Sequence, residues 1–271
     1  ALNTLIRSQK TLIVTTAQDH RSTDLTSFSE IVILQGGTLI VTYEQANAIH
    51  TKMKSANDEW VLTFANNGNL KVLHASTTTV DVSATTFSFT QLDVQNGTFS
   101  LTAAQYMTLA SVVKSGSGAI KVFVNNTANM SSVSLTPVTE LRVRATLSLN
   151  VAQILTVNLV VEQQGNLTLV VTEESDVTGS SVLSSANAIT VSALLIATPQ
   201  QISDVSSKIT KSGNGSITAK ITTTSDITNL TTTHINNFIL NSSTVIMTPT
   251  QAELFRNNIT DNSSTIKLLE T

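Results

Sequence analysis

The sequence predicts a β-rich α/β repeat solenoid of about five units, each about 50 residues long, with largely parallel sheets. Three observations predict it: one short motif recurs five times, every copy ends in a helix-capping signature, and apolar residues follow at helical spacing. Each unit is expected to run strand, strand, capped helix, strand. Units this small that lack cysteine bury little surface alone, so we expect them to stack side by side.

The chain divides into a leading piece and five repeats. Residues 1–23 are expected to hold the last strand of a preceding unit, because Leu12 to Val14 is apolar and no helical stripe follows it. The repeats are predicted at 24–80, 81–131, 132–175, 176–225 and 226–271. The first repeat carries about twelve additional residues, predicted as an insertion near 66–73, and insertions in repeat proteins map to loops.

Two strands precede each predicted helix, and the second strand ends in Thr-x-x-Gln or its Asn variant. The five copies of this second strand are Gly37 to Gln45, Gly97 to Gln105, Ala145 to Gln153, Ala193 to Gln201 and Ser243 to Gln251. The side chain of a Thr or Asn N-cap accepts a backbone N–H, while Gln three residues later reaches back to the N–H of the cap. The predicted structural pairs are Thr42 with Gln45, Thr102 with Gln105, Asn150 with Gln153, Thr198 with Gln201, and Thr248 with Gln251.

The residues after each Gln predict a helix of about ten residues with one buried face. Apolar residues recur one, four and eight positions after Gln: Ala46, Ile49, Met53; Tyr106, Leu109, Val113; Ile154, Val157, Val161; Ile202, Val205, Ile209; and Ala252, Phe255, Ile259. Pro199 and Pro249 occupy the first helical position, where the missing N–H costs nothing. A last strand follows each helix, and corresponding strands of successive units are expected to pair.

A recurring acidic position gives the one candidate for ion binding. Asp24, Asp81, Asp176 and Asp226 fall in similar places, with Ser132 in the third copy. Stacked copies of Asp81, Asp176 and Asp226 are weak candidates for a Ca²⁺ ladder, but each Asp capping its own turn is the favoured interpretation, since Ca²⁺ takes six or more oxygens. No other cofactor is predicted.

Catalytic signatures are not found in this sequence. Its four histidines do not stand at metal-ligand spacing, and it has no cysteine, no Gly-x-Ser-x-Gly elbow and no phosphate-binding glycine loop. We therefore predict that the chain is not an enzyme. Nine Asn-x-Ser/Thr sequons occur, but a chain with 76 Ser and Thr among 271 residues produces several by chance.

Composition excludes two classes of partner. Only 12% of the residues are charged, and 15 Lys and Arg stand against 18 Asp and Glu. This balance provides no basic face for nucleic acid. No stretch approaches the length of about 18 apolar residues that a membrane-spanning helix needs, so we expect no membrane insertion.

The repeated block of strand, Gly-Thr-apolar strand, Thr-x-x-Gln and apolar helix resembles repeat arrays of very large bacterial surface and secreted proteins, including S-layer-like and adhesin-like chains. The resemblance implies an extracellular or cell-surface location and a structural, self-assembling role in a surface layer, filament or adhesin stalk. The expected partners are copies of the chain or neighbouring repeats. The alternative is a binding module that holds glycans or a protein on a hydroxyl-rich face, with Tyr43, Trp60 and Tyr106 as contacts.

Overall fold

The computed structural model describes residues 10–50, 62–64, 68–85, 89–241, 243–262 and 264–269. The chain forms two compact units. One contains residues 1–123 and 137–141, and the other contains residues 124–136 and 142–271.

The first unit consists mainly of short strands. They are β1 (Thr11–Val14), β2 (Ala17–Asp19), β3 (Glu30–Ile33), β4 (Thr38–Val41), β5 (Leu62–Phe64), β6 (Asn69–His74), β7 (Thr79–Asp81), β8 (Gln91–Val94), β9 (Thr98–Thr102), β10 (Ser111–Val113) and β11 (Ala119–Val124), which ends at the boundary. Two helices interrupt them, α1 (Tyr43–His50) and α2 (Ala103–Thr108), together with a 3-10 turn at Leu25–Ser27.

The second unit has the same character. Its strands are β12 (Ala128–Asn129), β13 (Glu140–Val143, shared with the first unit), β14 (Thr146–Asn150), β15 (Asn158–Val161), β16 (Asn166–Val171), β17 (Ser175–Asp176), β18 (Ala188–Val191), β19 (Leu194–Ala197), β20 (Ile209–Lys211), β21 (Ser216–Ile221), β22 (Ser225–Asp226), β23 (Asn237–Asn241), β24 (Thr244–Met247), β25 (Ile259–Asn262) and β26 (Thr265–Leu268). Its helices are α3 (Val151–Ile154), α4 (Pro199–Asp204) and α5 (Pro249–Phe255), with 3-10 turns at Val182–Ser185 and Ser206–Lys208.

The strands form parallel sheets in which each strand pairs with the strands two places before and two places after it. In the first unit the orders are β1-β3-β5, β2-β4-β6-β8-β10 and β7-β9-β11. In the second they are β12-β14-β16-β18-β20, β17-β19-β21-β23-β25 and β22-β24-β26. The predicted β-rich, repeat-like fold with parallel sheets is therefore confirmed.

The pairing step is shorter than the period of the motif. Thr146 pairs with Asn166, Thr168 with Ala188, and Ile189 with Ile209, each 20 residues further along the chain. The expectation that corresponding strands of successive units pair was wrong, since β9 pairs with β7 and β11 and not with β4 or β14. The chain turns back after every second strand, so the neighbour of a strand comes from the next turn and not from the next motif.

The helices are shorter than predicted. Each ends within eight residues, and the third apolar position of the predicted stripe falls after it in the described copies: Val113 in β10, Val161 in β15, Ile209 in β20 and Ile259 in β25. Met53 lies outside the described residues. A strand thus follows each helix directly, and each unit has one more strand than expected. The alternation of the new strand coincided with helical spacing, which is why the two patterns were confused.

The insertion in the first repeat lies before β5 and not near 66–73. Thr38 pairs with Asn69 and Ile31 with Leu62, steps of 31 residues, whereas the other pairings step by 19 to 22. The extra residues therefore fall between β4 and β5. β6 is a core strand equivalent to β11, so Trp60 to Phe64 is not its counterpart, as the sequence had suggested, and Trp60 and residues 66–67 lie outside the described residues.

The core is made by alternate strand residues. β11 and β16 bury every second side chain, as expected for strands with one face inward. Phe99 and Phe238 are the largest fully buried side chains, and Phe238 packs edge-on against Phe255 of α5 with ring centroids 4.6 Å apart. The first part of each predicted helical stripe is buried too, as Ile49 and Ile202 show.

Candidate functional site

The feature that recurs through both units is a hydrogen-bonded junction built around each motif Gln, which we call the glutamine junction. It consists of the cap residue, the Gln three positions later, and two backbone carbonyls from a turn more than 20 residues earlier. Its copies are centred on Gln45, Gln105, Gln153, Gln201 and Gln251.

The cap half of the junction matches the sequence prediction. In α4 the Thr198 N–H donates to Gln201 Oε1 at 2.7 Å, and the Gln201 N–H donates to Thr198 Oγ1 at 3.2 Å. Equivalent reciprocal bonds join Thr42 with Gln45, Thr102 with Gln105, Asn150 with Gln153, and Thr248 with Gln251. Each junction thus satisfies N–H groups that the start of a helix leaves unpaired.

The other half of the junction was not predicted. The Nε2 of Gln105 donates to the carbonyls of Val82 and Thr85, at 2.8 and 3.0 Å. Gln45, Gln153 and Gln201 do the same, each to two carbonyls that lie three residues apart. Each Gln therefore clamps a helix start to the turn that follows a short strand of a neighbouring sheet. No local pattern in the sequence indicates a bond over such a separation.

The clamped turn begins with the recurring acidic residue. Asp176 Oδ1 accepts the Thr178 N–H at 3.0 Å, and Asp226 Oδ1 accepts the Thr228 N–H at 3.0 Å. Asp81 accepts from Ser83 in the same way. These Asp residues thus cap turns at the ends of β17, β22 and β7, as the favoured interpretation of the sequence held.

Two positions in this series were misassigned from the sequence. Asp19, and not Asp24, ends the short strand of the first copy and accepts the Arg21 N–H at 3.1 Å. Asn129, and not Ser132, occupies the third copy, where its Oδ1 accepts the Ser131 N–H at 3.1 Å. Asp24 instead caps the 3-10 turn at Leu25. The error arose because Asp24-Leu25-Thr26 reproduces the sequence pattern five residues from the true equivalent.

The electrostatics of these carboxylates differ from copy to copy. Burial raises the pKa of Asp176, but hydrogen bonds from Lys220 and Thr178 outweigh it, so this pKa lies below its ordinary value. Lys220 Nζ stands 2.8 Å from Asp176 Oδ2. At Asp226 the hydrogen bonds from Thr228 lower the pKa of the carboxyl. Bonds from Arg21 lower the pKa of Asp19.

The weak metal candidates do not come together. Within the described residues, no group of three or more His, Asp, Glu or Cys side chains is arranged to hold a metal ion. Asp81, Asp176 and Asp226 instead use an oxygen each for their own turn, and Asp176 adds the Lys220 ion pair. Their chemistry is that of turn formation.

Two of the aromatic residues suggested as glycan contacts are engaged inside the first unit. Tyr106 is only 4% exposed, and burial raises the pKa of its phenol to about 12. Tyr43 packs edge-on against the buried Phe99 ring at 6.1 Å. Trp60 lies outside the described residues. The described part of the chain therefore presents no aromatic row for a sugar to stack on.

A shallow groove lies in the second unit, between α3 with β15 and the turn at 180–185. Its volume is about 470 Å³, and Ile154, Val157, Leu159, Val161 and Val182 form its apolar wall. Asn158 and three Ser residues complete the lining, so the groove contains no titratable side chain. It has no group for acid–base chemistry.

Among the described residues, no helix has the length and apolar character to cross a membrane. Comparison of the chain with protein families, with curated proteins and with solved structures gives no match. The function therefore has to be argued from the glutamine junctions, the sheets and their edges.

Proposed function

We propose that the chain is a non-enzymatic, self-assembling structural protein of the cell exterior, part of a surface layer, filament or adhesin stalk. In this proposal the units form an α/β solenoid, each running strand, strand, capped helix and strand, with the additional strand after the helix. The supporting observation is the parallel ladder itself, in which every strand uses its neighbour two places on. Such a ladder grows by simple addition of turns.

The glutamine junctions support the same role. Their hydrogen bonds join helix starts to turns in copy after copy, and the half-buried Gln side chains meet backbone groups and not a ligand. Repeated internal cross-links of this kind favour a load-bearing scaffold over a single binding site. The low charge content, 12% of residues, lets copies pack closely without strong mutual repulsion.

Electron microscopy tests the assembly. The purified chain is imaged in negative stain over a hundredfold range of concentration, with light scattering as the quantitative measure. We expect ordered sheets or fibres that grow with concentration. Discrete particles of constant mass throughout the range would contradict the proposal and would favour the alternative, a glycan or protein binder.

Location is tested separately. An antibody against the chain is applied to intact and to permeabilised cells of the source organism. We expect intact cells to bind the antibody as strongly as permeabilised cells do. Labelling that requires permeabilisation would remove the cell-surface part of the proposal.

A further inference from the structure

The last strand of the sheet β22-β24-β26 has a free edge. β26 pairs in parallel with β24, from Thr244 with Thr265 to Met247 with Leu268, and within the described residues no strand lies on its other side. The equivalent strands are β6, β16 and β21, because each follows the motif strand in the same register. Those three pair on the further side with β8, β18 and β23.

The apolar side chains of β26 are exposed where their equivalents are buried. Ile266 is 41% exposed and Leu268 is 58% exposed. The equivalents of Ile266 are Leu70, Ile120, Leu167 and Ile217, those of Leu268 are Val72, Val122, Leu169 and Ala219, and all eight are 0% exposed. The exposure of β26 thus marks a position that a further strand covers elsewhere in the chain.

The charge at this edge indicates the chemistry of the covering strand. Lys267 occupies the position of Lys71 and Lys121 in the register with the motif strand. Lys71 pairs with Asp93 at 3.0 Å and Lys121 with Glu140 at 3.5 Å, each carboxylate lying on the strand that covers the lysine's own. Lys267 is exposed and makes no ion pair within the described residues, so the missing strand should carry a carboxylate.

One strand of this chain has that pattern and is weakly covered. β3 places Glu30 before the fully buried Ile31 and Ile33, just as β13 places Glu140 before two buried apolar residues. β1 covers β3 on the relevant side, and Thr11 Oγ1 donates to Glu30 at 3.3 Å. Of the four side chains of β1 only Val14 is buried.

We propose that the free edge of β26 binds a second copy of this chain, in which β26 takes the place of β1 beside β3 and Lys267 faces Glu30 of that copy. The register matches β6 with β8, where Lys71 stands opposite Gln91 at the position equivalent to Glu30. Exchange of one strand between copies costs little because the lost pairing is replaced by an equivalent one. This contact rests on the proposed self-assembly and names its interface.

Charge exchange tests the contact in the full chain. Sedimentation velocity over a range of concentrations is run on the wild type, Lys267→Glu, Glu30→Lys and the double variant with both changes. We expect each single variant to weaken association about tenfold, because like charges meet at the interface, and the double variant to restore it. Lys114→Glu, the same charge change at an exposed lysine in the first unit, is the control and should associate as the wild type does.

The outcomes separate the interface from the function. Circular dichroism first establishes that the variants keep the wild-type fold, which the exposure of both side chains at partly open strands favours. If the wild type assembles and Lys267→Glu behaves like Lys114→Glu, this interface is wrong while self-assembly stands. If single variants weaken association but the double variant does not restore it, β3 is not the partner strand. If the wild type never associates, both proposals fail.

Discussion

At the scale of single residues, the structure depends on side chains that bond to backbone. Gln201 is the clearest case: its Oε1 accepts the Thr198 N–H, while its Nε2 donates to the carbonyls of Val177 and Ser180. Three backbone groups from two separate segments therefore depend on one carboxamide. Buried or half-buried backbone groups that lose such a partner are costly.

Gln201→Glu should destabilise the protein at neutral pH. The substitution keeps the acceptor that caps the helix but replaces the Nε2 donor by a carboxylate oxygen facing two carbonyls. We expect a loss of about 2–4 kcal/mol in the free energy of unfolding, measured by urea denaturation. Gln164→Glu, the same change at an exposed residue, should be nearly neutral. Equal stabilities of the two variants would show that the clamp contributes nothing.

The Asp176–Lys220 pair predicts a specific pH dependence. The folded-state pKa of Asp176 is lowered, so its contribution is fully present above the unfolded pKa of about 3.9 and is lost as pH falls through the folded value. We expect Lys220→Met to cost about 0.5–1 kcal/mol at pH 7, since the pair is partly exposed. Near pH 2 the difference between the variant and the wild type in urea unfolding should vanish. A difference that persists there would mean that Lys220 acts through packing.

The residue scale also shows what sequence reasoning reaches. The bonds between Thr198 and Gln201 follow from a separation of three residues, so the sequence predicted them in all copies. The Nε2 bonds of Gln201 reach carbonyls 21 and 24 residues earlier, and those carbonyls carry no side-chain signature. Only the fold brings them within reach.

At the scale of elements, tight turns bring one turn of chain against the strand before it. A Cβ added to Gly215 would lie 1.9 Å from the Val191 carbonyl oxygen, because the turn before β21 crosses directly over the end of β18. The same approach recurs at Gly165, 2.3 Å from the Val143 oxygen. These glycines are required by packing, and the sequence suggested only that turns occur there.

Gly215→Ala should therefore be severely destabilising. The backbone oxygen of Val191 cannot move aside without breaking the parallel pairing of β18, and we expect a loss of about 3 kcal/mol or more. Gly179→Ala, where no atom lies within 4 Å of the added Cβ and φ is not positive, should be neutral or stabilising. Thermal unfolding of the two variants measures the contrast. A mild effect at Gly215 would mean that the turn has room to shift.

Element boundaries were harder to predict than element existence. All five helices begin where the capping residues indicate, yet each ends before the eighth residue after Gln. In the fourth copy Ile209 is buried in a strand, so its apolar character fitted the helical stripe for a different reason. In the second and third copies Val113 and Val161 are partly exposed, which a continuous buried helical face would not allow.

At the scale of the whole chain, two periods coexist. The motif glutamines recur at spacings of 48 to 60 residues, and local signals of capping and turns reveal this period in the sequence. Strands pair at steps of about 20 residues, because the chain turns back more than twice within each motif. Parallel pairing leaves little mark on local sequence, so the shorter period became visible only in the structure.

Hydrogen exchange connects this ladder to the proposed assembly. β16 and β21 have strand partners on both sides and buried alternate residues, whereas β26 has one partner and four exposed residues. In dilute solution we expect the amides of β26 to exchange at least about a hundredfold faster than those of β16, since the opening free energy falls with burial and pairing. As concentration rises, β26 should become protected in the wild type but not in Lys267→Glu, and β16 should remain unchanged. Protection of β26 that is the same in both proteins at every concentration would contradict strand exchange at this edge. Rapid exchange of β16 in dilute solution would contradict the parallel ladder itself.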